Sequence, residues 1–76
     1  MLIYSRDRKS VIDAKVLQVT RNLGGGKDCK YIISAEGMGG LSAAVAAQSP
    51  DEKTAIDALE KAYTAFAEGA NAYKFD

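Results

Sequence analysis

The sequence predicts an α+β fold: a three-stranded antiparallel β-meander packed by one long C-terminal α-helix, with residues 2–4 adding at most a short N-terminal edge strand. Three observations carry this prediction. Residues 49–69 hold the start, the apolar stripe and the stop of one amphipathic helix. Residues 11–20 and 29–35 are two β-branched runs separated by a glycine-rich segment. Residues 41–48 alternate in a way that suits a third strand.

Taken in chain order, Leu2, Ile3 and Tyr4 are too short a run for more than an edge strand, and residues 5–10 form a charged connector. Val11, Ile12, Val16, Val19 and Thr20 argue for a strand that places Ala14, Val16 and Ile12 on one face. Leu17 and Val19 point the other way, which implies either cover on both faces or a bulge that shifts the register. The segment NLGGGKD at residues 22–28 reads as a hairpin loop. In the second strand Tyr31, Ile33 and Ala35 alternate with Lys30, Ile32 and Ser34, and EGMGG at residues 36–40 is a second turn. Leu41, Ala43, Val45 and Ala47 alternate with Ser42, Ala44, Ala46 and Gln48. The alanines also suit a helix, but Pro50 restricts Ser49 to extended backbone and favours a strand that ends there.

The helix is expected to begin with Ser49 as N-cap, Pro50 in the first turn and Glu52 completing a capping box. Ile56, Leu59, Tyr63 and Phe66 form the stripe expected to be buried, with Ala55, Ala58 and Ala62 as its flank, and Gly69 supplies the left-handed stop. The tail ANAYKFD spaces Tyr73 and Phe75 two apart, which fits either a short final strand or a loose terminus with one anchor. The large core candidates are Leu2, Ile3, Tyr4, Val11, Ile12, Val16, Leu17, Val19, Tyr31, Ile32, Ile33, Leu41, Val45, Ile56, Leu59, Tyr63 and Phe66.

A chain of 76 residues has room for one domain, spanning residues 1–76, and a domain this small buries only roughly 60% of its unfolded surface. Dimerisation would add to that. Cys29 is the single cysteine and there is no histidine, which excludes an internal disulfide, the usual zinc sets and the commonest general base. No apolar run approaches the roughly 20 residues of a membrane span and the N-terminus does not read as a secretory signal, so the expected location is cytoplasmic, with no membrane partner. The formal net charge of zero hides a division: residues 1–35 carry seven basic against three acidic side chains, and residues 36–76 carry three against seven.

The stretch IISAEGMGGLSAAVAAQ, residues 32–48, resembles the opening of a flavin-binding dinucleotide fold. Gly37 and Gly40 match its second and third glycines, but Ala35 stands at the first and Glu36 would face the phosphates. GGGK at residues 24–27 resembles a phosphate-binding loop, with Arg21 where the earlier glycine belongs and Asp28 where the magnesium ligand belongs. The run from Tyr31 through the helix also resembles the strand-strand-helix part of double-stranded RNA-binding domains and the partial ribonuclease-H-like fold of HicB-type antitoxins. Asp51 and Glu52 stand where an RNA-binding helix would carry bases.

No nucleophile–base pair can be assembled from these residues, so neither an enzymatic activity nor a cofactor is expected. The leading expectation is a small non-enzymatic protein-interaction module. Its size suits a phage- or mobile-element-encoded inhibitor, of which anti-CRISPR proteins are one kind, with Asp57, Glu60 and Glu68 as the candidate partner-binding residues. The alternative is an antitoxin-like or regulatory nucleic-acid-binding module that uses Arg6, Arg8, Lys9 and Arg21 on phosphates, beside Lys15. A third expectation is a homodimer paired through the strand edge at residues 41–48.

Overall fold

A computed structural model describes residues 1–24, 26–27, 29–37 and 43–76. In these residues the chain forms β1 (Leu2–Tyr4), β2 (Val11–Asp13), β3 (Val16–Arg21), β4 (Tyr31–Glu36), β5 (Ala43–Ser49), α1 (Glu52–Ala67) and β6 (Ala72–Lys74). The strands make two three-stranded sheets, ordered β2-β1-β6 and β3-β4-β5. The second is the antiparallel meander expected from the sequence, and α1 packs against it and against β6.

The first sheet was not foreseen, and it arises from a corner in residues 11–20. The Ala14 N–H donates to the Met1 carbonyl at 2.7 Å and the Lys15 N–H to the Glu36 carbonyl at 2.7 Å. Successive N–H groups of an extended chain point to opposite sides, so the run transfers its pairing from β1 to β4 within two residues. That corner also moves the inward face by one residue. Ile12 and Ala14 pack in the core before it, and Leu17 and Val19 after it. Val16, expected on the inner face, is left 43% exposed, and Val11 and Leu2 are exposed as well.

β1 is a central strand, not an edge. It runs antiparallel to β2, with Ile3 opposite Ile12, and parallel to β6, with Ile3 opposite Tyr73. The C-terminal tail is therefore structural. The Phe75 N–H donates to the Tyr4 carbonyl at 3.1 Å, and its ring meets that of Tyr73 edge-on with centroids 5.0 Å apart. Phe75 is the largest fully buried side chain among the described residues. Reading the tail as optional kept it out of the expected core.

The third strand of the meander is confirmed from Ala43 onward; Leu41 and Ser42, with Met38–Gly40 of the second turn and Gly25 and Asp28 of the hairpin loop, lie outside the described residues. The register shifts between Ile33, opposite Ala47, and Ser34, opposite Val45, which makes Ala46 the extra residue of a β-bulge. The bulge turns Ala46 and Ala47 both inward while Val45 stays 43% exposed.

Asp51, not Ser49, caps α1. Asp51 is extended at φ −142° and its Oδ1 accepts from the Thr54 N–H at 2.7 Å. Ser49 is the last residue of β5 and fully buried, so the strand runs one step further than the capping-box reading allowed. The C-terminus ends as expected. Gly69 has φ +101°, its N–H donates to Phe66 at 3.0 Å and the Ala70 N–H to Ala65 at 3.1 Å, a Schellman closure.

The helix packs through its alanines. Ala55 and Ala62 are fully buried and Ala58, Leu59 and Phe66 partly so, while Ile56 is 40% and Tyr63 72% exposed. The expected stripe is thus inverted, with the small residues inward and two of the four large ones on the flank. The cause is visible in the core cluster: Ile3, Ala14, Ile33, Ala35, Ala46, Ala47, Ala62 and Phe75. Five of the eight are alanine, so helix and sheet approach closely and no space remains for Ile56 or Tyr63.

Candidate interaction surface

The flank that α1 leaves open forms one wall of a groove of about 510 Å³ lined by Met1, Leu17, Leu59, Glu60, Tyr63 and Phe66. β3 forms the other wall. Helical spacing places Ile56 and Tyr63 two turns apart on one line, with Leu59 and Glu60 between them. The lining is apolar apart from Glu60 and the Tyr63 hydroxyl. β3 is also the outer strand of its sheet, and its second edge pairs with no strand among the described residues.

The three acidic candidates have separate surroundings. Asp57 lies 3.5 Å from Lys53 one turn earlier. Glu60 sits on the groove, and Glu68 is the C-cap residue, where the helix dipole disfavours a carboxylate. They follow one helical line, but Lys53 and Lys61 interleave it, so the face is of mixed charge. Of the three, only Glu60 joins the apolar groove among the described residues.

The basic candidates are partly consumed by the fold. The Arg6 backbone N–H donates to the Ala46 carbonyl at 2.8 Å, and its guanidinium Nη1 donates to the Gln48 carbonyl. Its Nε is buried. Arg8 takes a positive φ of 65°, lies 5.1 Å over the Tyr4 ring and reaches Asp76 at 3.8 Å. The Lys9 side chain is exposed, and its backbone N–H donates to Asp7 Oδ1 at 2.9 Å. The Ser5 hydroxyl meets the same Oδ1 at 2.6 Å, and these two donors, the Ser5 hydroxyl first, hold the Asp7 carboxyl below its ordinary 3.8.

Arg21 ends β3, opposite Tyr31, which in turn faces Ser49. Arg6 reaches Gln48, so Arg6 and Arg21 share one end of the meander but lie at its two outer strands. Among the described residues Arg6 and Arg8 thus have partners within the fold, and Arg21 ends the opposite outer strand.

The edge at residues 41–48, expected to mediate a dimer, has backbone acceptors already engaged by Arg6 at Ala46 and Gln48. Cys29 is half-buried and its thiol donates to Gln48 Oε1 at 3.1 Å. Among the described residues no three His, Cys, Asp or Glu side chains converge as metal ligands, and no helix is long and apolar enough to cross a membrane.

Sequence reasoning missed the groove because it assigned Tyr63 and Ile56 to the core. The signal that would have found it is the competing small-residue line Ala55, Ala58, Ala62, which has the same period and a smaller footprint. Comparison with family models, curated proteins and solved structures returned no match.

Proposed function

We propose that this chain is a non-enzymatic protein-interaction module that binds through the groove between α1 and β3. The observation that carries this reading is Tyr63, 72% exposed on an apolar helix flank beside an open strand edge. Exposed apolar patches with a polar rim are the usual mark of protein contact, and tyrosine is among the side chains that most often dominate such contacts. Glu60 supplies the rim charge that orients a partner. The mixed charge of the outer helix face and the engagement of Arg6 and Arg8 within the fold favour protein over nucleic acid as the ligand. In this reading the module acts by covering a protein surface, the mode of action of small mobile-element inhibitors such as anti-CRISPR proteins.

The test is affinity capture with the tagged protein, with and without nuclease, alongside Tyr63→Asp and Lys9→Ala. A stoichiometric protein that survives nuclease, persists with Lys9→Ala and is lost with Tyr63→Asp is the expected result. Recovery of nucleic acid alone, or a partner indifferent to Tyr63→Asp, would overturn the reading.

A further inference from the structure

The open edge of β3 has a definite polarity. The Asn22 N–H donates to the Lys30 carbonyl at 2.7 Å, and the Gln18 carbonyl lies 3.5 Å from the Ser34 hydroxyl; Lys15 and Val16 both stand against Glu36, so the parity shifts at that corner, and from Val16 onward the even-numbered residues direct their backbone groups at β4. With a period of two, Leu17, Val19 and Arg21 direct theirs outward. The same three side chains share the face that α1 covers, since Leu17 and Val19 pack against the core. One strand edge therefore presents alternating donors and acceptors beside an apolar groove.

We propose that a second copy of this chain occupies this surface, pairing β3 antiparallel with its own equivalent about a two-fold axis through Val19; the inference rests on the interaction reading above and names its partner. Directly opposite residues of an antiparallel pair share a face, so the symmetric register places Val19 against Val19 and Leu17 against Arg21. Leu17 lines the groove together with Glu60. The pairing therefore brings Arg21 of each copy to the Glu60 rim of the other, twice, on the helix side of a joined six-stranded sheet. This complementarity is what selects a second copy. The division into a basic first half and an acidic second half acquires a role, because each copy offers a base from β3 to an acid on α1. A stable interface buries ~1,000 Å² in total, about a tenth of the 5084 Å² surface of each copy, and the β3 edge with the α1 flank supplies its apolar centre.

The experiment is sedimentation equilibrium of the full chain over a wide concentration range, with Arg21→Glu, Glu60→Arg and the double reversal. Both positions are exposed, so folding is preserved. The proposal expects a monomer–dimer equilibrium weakened about tenfold by each single reversal, since symmetry counts each pair twice, and restored by the double reversal. A monomer at every concentration overturns the second copy; if that monomer still captures a different protein through Tyr63, the interaction reading stands with a heterologous partner. A dimer indifferent to the reversals, or not rescued by the double change, overturns the β3 pairing.

Discussion

Replacing Phe75 with alanine tests whether the last residues are part of the fold. Phe75 is 1% exposed, so nearly the whole ring leaves water on folding, and it sits edge-on to Tyr73 at 5.0 Å. Removing a buried phenylalanine costs about 3–5 kcal/mol, with the aromatic pair included in that figure. A chain of 76 residues has a total stability of roughly 4–11 kcal/mol, so the substitution removes a large share of it. With a urea dependence of about 1 kcal/mol per molar, the midpoint moves down by roughly 3–5 M or the variant is already unfolded without denaturant. Urea titration followed by circular dichroism reads this directly. Tyr63→Ala is the control, expected to change stability by no more than about 0.5 kcal/mol because Tyr63 is largely in solvent. A loss below about 1 kcal/mol for Phe75→Ala would refute the reasoning, since it would mean that β6 contributes no packing.

Two further outcomes follow from the backbone and the carboxylates. Gly69→Ala forces a side chain into φ +101° where the added methyl meets nothing within 4 Å, so its cost is conformational, about 1–2 kcal/mol by thermal unfolding. The Asp7 and Asp51 carboxyls are both held below the ordinary value of 3.8, Asp7 by the Ser5 hydroxyl and Asp51 by the Thr54 N–H. A depressed folded-state value contributes stability that is fully present above 3.8 and is lost as pH falls through the lower folded values. The melting temperature is therefore expected to be level with respect to these two groups from pH 7 to about 5 and to decline below 3.8, with a smaller decline in the Asp7→Asn, Asp51→Asn double variant.

The meander, its sequential order, the single helix and the Gly69 stop were all legible in the sequence, because glycine runs, β-branched runs and a left-handed terminator act locally. What was not legible depends on contacts distant in sequence. The split of residues 11–20 into strands of two sheets follows from Met1 and Glu36 competing for successive N–H groups at Ala14 and Lys15. The inward turn of Ala46 depends on a bulge whose carbonyl is taken by Arg6, forty residues earlier. The inverted helix face is a volume effect: a core dominated by alanine admits Ala55 and Ala62 and leaves Tyr63 outside. Of the three acidic candidates, Glu60 is the one that meets the apolar lining of the groove among the described residues. The guanidinium of Arg6, a phosphate-ligand candidate by composition, donates to the Gln48 carbonyl, a contact forty-two residues away in sequence.

Residue-resolved amide hydrogen exchange of β3, in dilute and in concentrated solution, tests the central claim that the β3 edge and α1 flank form a binding surface occupied by a second copy. The account predicts that the outward N–H groups of Leu17, Val19 and Arg21 exchange quickly when dilute and become protected on concentration, while those of Gln18 and Thr20, directed at β4, are protected throughout. Outward amides that stay equally labile at every concentration would contradict it.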